Sequence, residues 1–370
     1  MEELERLLSS KEIAVVQTAP SVRVSLGEEF GLKPGADVTG RVVASLRMLG
    51  FKYVFDTDFG AEVTVLEEAQ ELLERLEKQE RLPLFTSCCP GWTRFCLKQF
   101  PSLENNLSEC KAPQQILASL AKTYFAKKIR KPAKDVVVVS VMPCFAKKLE
   151  AKEREHAIAG APQDVDLVIT THELAQLLKA RGIDLRRLSD EEFDNPLGVT
   201  GGAGALFGAT GGIAEAIMRT AYHATTGGAL PRFESNMRPA LGQIKEYSIV
   251  MGERDVHLAI VQGYPNASVL CKRVLEERRN GMRSLDFVEV LGCIGGCVGG
   301  PGQPDTGEDA VLMRAAALHE RDRRLPLRSA HDNPAIKKVY ASMFGKPGSA
   351  RARRLLHRGQ RGYAEMMKTL

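Results

Sequence analysis

The residues best suited to chemistry are cysteines, and their placement is selective. Pro83-Leu84-Phe85-Thr86 runs into Ser87-Cys88-Cys89-Pro90. The apolar run 136–141 leads to Met142-Pro143-Cys144, and the run 287–291 leads to Gly292-Cys293. Cys297 comes four residues after Cys293. Each group lies just past the C-terminal end of a predicted strand, the edge at which open α/β sheets bind ligands. Pro90 and Pro143 read as turn residues, because proline fixes φ and lacks an amide hydrogen. In Cys293-Ile294-Gly295-Gly296-Cys297 the four-residue gap would place both thiols on one face if the segment forms a helical turn. The glycines from Gly292 to Gly302 would let backbone approach a bulky object closely. Structural zinc sites usually show paired Cys-x-x-Cys knuckles, and there are none. Four thiolates from three separate segments suit an iron–sulfur cubane.

Strands are predicted over 13–17, 52–55, 83–86, 136–141, 165–169, 257–262 and 287–291. Helices are predicted over 63–79, 113–127, 171–180, 211–220, 267–280 and 333–344. In the first helix Val65, Leu66, Leu72, Leu73 and Leu76 form one apolar face. Short apolar runs alternating with longer amphipathic stretches give an α/β fold. The segment 14–20 echoes 259–265 (Ala-Val-Val-Gln against Ala-Ile-Val-Gln, each ending in proline). The echo suggests matching positions in two lobes of similar build.

The chain has 370 residues, 44% of them hydrophobic and 26% charged, the profile of a folded protein. No apolar run is long enough to span a membrane. The polar, acidic start does not resemble a signal peptide, which points to the cytoplasm. Eight cysteines in a chain able to bury a large core read as metal-binding or catalytic rather than as disulfide staples. The net charge of +5 gathers at Arg321, Arg323 and Arg324 and at Arg351, Arg353, Arg354, Arg358 and Arg361. This is either a solvated helix face or a patch that steers an acidic partner. No nucleic-acid recognition motif is present.

The three cysteine segments resemble the signature motifs of the iron-only (FeFe) hydrogenases. Thr86-Ser87-Cys88-Cys89-Pro90-Gly91-Trp92 is similar to the first. Met142-Pro143-Cys144-Phe145-Ala146-Lys147-Lys148-Leu149-Glu150 is similar to the second, and the stretch from Glu289 to Pro304 to the third. The resemblance implies two lobes, each a small twisted sheet flanked by helices, with the cofactor in the cleft between them. It implies an H-cluster domain over 12–304 and a helical small-subunit-like segment over 308–368. The cofactor so implied is the six-iron H-cluster. Its four-iron cubane would be held by Cys89, Cys144, Cys293 and Cys297, and Cys297 would bridge to a two-iron unit carrying CO, cyanide and an azadithiolate. Ala19, Pro20 and Ser21 match positions near one cyanide and Lys147 near the other. Gln114, Phe207 and Leu291 match positions lining the CO ligands.

The implied activity is reversible reduction of protons to hydrogen. The implied proton path runs from Cys88, the cysteine that is not a ligand, by way of water to Glu71, Ser108 and Glu68, and then to solvent. Two glutamates three apart on a helix ordinarily mark a solvated face; only the resemblance assigns them a relay. Three positions depart from the family's commonest pattern: Leu291 replaces methionine, Gly292 replaces alanine and Pro301 replaces glycine. Cys96 and Cys271 read as packed core residues, and Cys110 has no assignable role. With no ferredoxin-like cysteine segment in the chain, electrons are expected from an acidic ferredoxin or a cluster-bearing subunit. Maturation proteins would supply the two-iron unit. Two other readings are an iron–sulfur assembly factor of the same superfamily, against which counts the lack of any cysteine before Cys88, and a hydrogen sensor, which would carry a signalling domain.

Overall fold

A computed structural model describes residues 2–9, 13–153, 163–231, 241–305 and 307–358. Among the described residues, eight strands form two four-stranded sheets. The first contains β1 (Ile13–Thr18), β2 (Tyr53–Asp56), β4 (Val136–Met142) and β5 (Leu167–Thr170), in the order β2-β1-β4-β5 and all parallel. The second contains β3 (Leu84–Phe85), β6 (Ile244–Met251), β7 (Arg254–Gln262) and β8 (Phe287–Leu291), in the order β3-β8-β7-β6. Here β3, β8 and β7 are parallel, and β6 is an antiparallel edge strand. Mixed α/β architecture in two lobes is therefore what the chain adopts.

β4 is buried along its whole length, as a central parallel strand covered on both faces must be. The two echoing segments occupy equivalent places. β1 lies beside β4 and β7 beside β8, and both neighbours lead into cysteine. The repeated glutamine has a job in each lobe. The Gln17 amide donates to the Gln114 carbonyl at 2.8 Å, and the Gln262 side chain accepts from the Gly295 amide at 2.8 Å. Gln17 thereby pins the start of the helix Pro113–Leu120, and Gln262 the glycine bend before Cys297.

The helix Thr57–Lys78 comes directly after β2 and serves both lobes. Phe59 and Val63 belong to the core of the first sheet, while Ala61, Val65, Ala69, Leu72 and Leu76 belong to that of the second. Asp56 caps it by accepting from the Asp58 amide. The C-terminal helices Pro334–Val339 and Ala350–Leu356 send Ile336, Val339 and Leu356 into the first core, so this segment packs as part of the main body.

Three local expectations are corrected. Pro90 does not make a turn: it opens the helix Pro90–Gln99 at a position where proline's missing donor costs nothing. The Cys293–Cys297 segment is not a helical turn. Gly295 (φ 79°) and Gly296 (φ 92°) take left-handed conformations, and a tight glycine bend brings the thiols round. The third concerns the basic tail. Arg353 pairs with Glu74 and Glu109, Arg321 with Asp37, and Arg323 and Arg324 with Glu320, while Arg358 is buried near Glu153. Much of that charge is internally compensated; Arg361 lies outside the described residues.

Candidate metal centre

The three cysteine segments are clasped together by backbone. Thr86 donates its amide to the Val288 carbonyl at 3.0 Å, and Trp92 Nε1 donates to the Thr86 carbonyl at 3.0 Å, fixing the first segment against β8. Gly302 donates to the Pro143 carbonyl at 2.8 Å, tying the third segment to the second. Lys147 Nζ donates to the Cys88 carbonyl at 2.9 Å, tying the second to the first. The crevice therefore lies between two sheets: β3 and β8 deliver thiols from one, β4 from the other.

The four thiols lie near enough to act on one another's charge. Burial pushes the Cys297 thiol well above its ordinary range, and Cys144, Cys89 and Cys293 push it further. Cys293 is pushed up to about 12 by burial, with Cys89 and Cys144 adding to it. Cys144 is raised by burial, against the pull of the Lys147 ammonium. Among the described residues no three His, Cys, Asp or Glu side chains close on one point as ligands of a single ion do. A group with an extended, cationic core is what would hold four such thiols as thiolates.

Beside the thiols is a pocket wall with unsatisfied polar atoms. Ser21 Oγ and Gln114 Oε1 are buried without a hydrogen-bond partner, as are the Thr18 and Thr210 hydroxyls. Buried groups of this kind are costly unless something else meets them. A Cβ on Gly208 would stand 3.3 Å from the Ser21 amide, and one on Gly296 would stand 2.8 Å from the Thr210 amide. The strip 207–210 is thus packed between Ser21 and the Cys297 loop. Ala19 and Pro20 are buried at the end of β1. Cys88, Phe207 and Leu291 share one apolar cluster. Gln114 Nε2 donates to Glu150 Oε2 at 2.7 Å, and Lys147 Nζ donates to the same carboxylate at 3.0 Å. Lys147 and Gln114 meet at Glu150, which the sequence reading did not name and which holds both. Its spacing of three from Lys147 is visible in the chain; its complete burial is not.

The acid–base residues also meet, but in a different order. Cys88 is buried, and burial pushes its thiol well up; the carboxylate acting on it is Glu68. Glu71 instead accepts from Ser108 Oγ at 2.8 Å and from Arg75 Nη2 at 2.5 Å. Arg75 in turn donates to the carbonyls of Arg81, Asn106 and Leu107, toward the half-exposed Arg81–Glu109 pair. Glu68 is therefore the inner carboxyl and Glu71 the outer one, the reverse of the order expected from sequence. The reason is helical geometry: one turn along the buried helix moves the side chain from the thiol toward the Ser108 loop. Arg75, one further turn along, gives no signal in the sequence, because an arginine on an acidic helix looks like an ordinary surface pair.

Glu68 is fully buried, and neither of its oxygens has a well-aligned partner. Burial pushes its carboxyl up to about 8; Glu71 adds to this, and the Ser108 hydroxyl and Ser87 amide nearby offset only part. The ordinary value is 4.5. Between the two, the folded protein holds a proton that the unfolded chain has released, so this residue's effect on stability worsens as pH rises and levels off above about 8. Glu68→Gln is expected to stabilise the metal-free protein by a few kcal/mol at pH 8.5 and by little at pH 4.5. Denaturant titrations at the two pH values check it; an equal shift at both would contradict a neutral, buried carboxyl.

With the fold and the thiol cage in hand, comparison with known proteins is decisive about class: this chain belongs to the iron-only hydrogenase family. The family description "Iron only hydrogenase large subunit, C-terminal domain" matches residues 12–301, and "Iron hydrogenase small subunit" matches residues 308–358. The chain is 43% identical over 364 residues to the NADP-reducing hydrogenase subunit HndD of Solidesulfovibrio fructosivorans, covering 96% of this chain and 61% of that protein. It is similar in structure to a variant of apo FeFe-hydrogenase HydA1 from Chlamydomonas reinhardtii, with TM-score 0.84 and 37% identity, covering 96% of this chain and 97% of the other. It is also 31% identical over 388 residues to cytosolic iron–sulfur assembly component 3 of Bos taurus, covering 96% of this chain and 77% of that protein. Against HndD the chain spans about three-fifths of the relative's length. No described helix is long and apolar enough to cross a membrane.

Proposed function

We propose that this chain catalyses the reversible reduction of protons to hydrogen at an H-cluster. The observation that carries this is the pairing of a four-thiol cage with a fifth, buried thiol, Cys88, backed by the buried carboxyl of Glu68. Cys89, Cys144, Cys293 and Cys297 would hold the cubane, with Cys297 shared with the two-iron unit. The bound cofactor would supply the redox centre at which protons and electrons combine.

The chain's own residues do four things. Ser21, Gln114 and Lys147 would hold the polar ligands of the two-iron unit: Ser21 Oγ is free to donate, and Lys147 brings an ammonium held by Glu150. Ala19, Pro20, Phe207 and Leu291 close the site with apolar surface and keep bulk water out. Cys88 would exchange a proton with the site on one side and, by way of water, with Glu68 on the other. Ser108 and Glu71 carry it outward, and Arg75 fixes Glu71 so that one oxygen stays turned toward Ser108. A thiol and a carboxyl that are both neutral near pH 7 can pass a proton without creating an isolated buried charge.

Residues 12–304 would form the cluster-binding unit and 308–368 the small-subunit-like segment. Electrons would come from a ferredoxin or a cluster-bearing subunit, and maturation proteins would deliver the two-iron unit. An assembly-factor role has one observation in its favour, the relative named above, but it leaves the Cys88–Glu68–Ser108–Glu71 arrangement without a use. Infrared spectroscopy of the matured protein under H₂ and then argon tests the proposal. CO and cyanide bands that change between the gases, together with hydrogen evolution from a strong reductant, are expected. A protein that binds iron but shows neither overturns it.

A further inference from the structure

The helix Tyr264–Arg279 begins with a tyrosine that belongs to none of the three cysteine motifs. Its ring lies over the cysteine segments. A Cβ on Gly91 would stand 2.5 Å from Tyr264 Oη and 4.0 Å from Cys89 Sγ. A Cβ on Gly292 would stand 2.8 Å from the same Oη and 2.9 Å from Cζ. Distances under 3.0 Å are closer than real carbon atoms come, so the phenol occupies a seat that exists because both positions are glycine. This accounts for one departure noted in the sequence: alanine, usual at 292, would collide with this ring. Phe95 supports the ring from the side, centroids 5.1 Å apart. The residue is 40% exposed, so it stands between the thiols and solvent. Its hydroxyl makes no hydrogen bond to any described residue, although it neighbours Cys89, Cys293 and Cys144, whose charges add to the effect of burial on its acidity.

We infer that the Tyr264 hydroxyl donates a hydrogen bond to a cluster thiolate on the Cys89–Cys293 edge and so raises the reduction potential of the cubane. The inference rests on the four-iron reading above. A phenol keeps its proton at neutral pH, and a donor to thiolate sulfur stabilises the more negatively charged, reduced cluster. A leucine or phenylalanine at 264 could fill the seat but could not donate. Gly91 and Gly292, one from each of two cysteine motifs, would have no steric reason to be paired with a smaller residue. Tyr264 thus tunes the cluster from its solvent side, where a partner would deliver electrons.

The test uses the full chain reconstituted with iron and sulfide alone, so that no two-iron unit is needed. Redox titration followed by electron paramagnetic resonance gives the midpoint potential of the wild type, of Tyr264→Phe, and of the double variant Tyr264→Leu/Gly292→Ala, which refills the seat without a donor. Both variants are expected to bind iron as the wild type does and to shift the reduced-to-oxidised ratio at fixed potential about tenfold toward the oxidised form, about 59 mV for one electron. Equal potentials in all three proteins, with four-iron signals present, would overturn this inference and leave the proposed function standing. Absence of a four-iron signal from the wild type would overturn both. If Tyr264→Phe fails to load iron, the double variant decides by the same comparison.

Discussion

Cys88→Ser is expected to lower hydrogen turnover by about a hundredfold or more while leaving iron content and the infrared bands of the resting cofactor in place. The geometry explains the size of the effect. Cys88 is buried among Phe207, Leu291 and Leu84, and its thiol is bracketed by Glu68 on one side and the cluster thiols on the other. A serine hydroxyl is nearly the same size but gives up its proton far less readily than a thiol, so the relay would stall at its first member. General acid–base groups typically contribute about 10²–10⁴ in rate. Iron counting alongside hydrogen evolution from a chemical reductant is the measurement. Near-normal turnover in the serine protein would show that protons reach the site by another route.

Cys297→Ala is expected to abolish the CO and cyanide infrared bands altogether and to bring turnover below detection. Cys297 is buried and is acted on by Cys144, Cys89, Cys293 and Lys147. Its neighbour Gly296 lies against the 207–210 strip, beside the unsatisfied Thr210 hydroxyl. Under the proposed function Cys297 would serve both the cubane and the two-iron unit. Cys271→Ala is the matched control. That thiol is buried in a separate apolar cluster next to Cys96, and its loss should cost stability alone, leaving the bands intact. Bands that survived in Cys297→Ala would remove this residue from its proposed double role.

Much of the site can be read from the chain because its signals are local. An apolar run leading into Pro-Cys or Gly-Cys marks both a strand and the ligand-bearing bend at its end, and β4 and β8 lie where those runs predict. The long helix declares itself by its apolar face, though it starts earlier than that face suggests, at Thr57, because its first turn is buried by both lobes and carries few of the usual amphipathic cues. The features that the chain does not disclose have physical causes. β6 is an exposed edge strand with little apolar alternation. The helix Gly307–Arg324 buries only a narrow stripe, including Ala310, Arg314 and Leu318, beneath a largely charged surface. The inner and outer order of Glu68 and Glu71 depends on which side of a buried helix faces Cys88, and spacing alone does not carry that. Tyr264 is silent for a related reason: an aromatic at a helix start is ordinary until the two glycines beneath it are seen.

Neither sheet is made from one continuous stretch of chain. β3 leaves the first lobe to pair with β8, Leu84 opposite Phe287, and the chain then returns to lay down β4 and β5. On a ribosome, the Cys88–Cys89 segment would emerge long before the strand that holds it in place. Closing so distant a pair is entropically slow, and it has to precede any stable cage. Any cluster held by these cysteines would consequently have to wait for β8, and a nascent or truncated chain ending before it would present cysteines with no architecture to aim them.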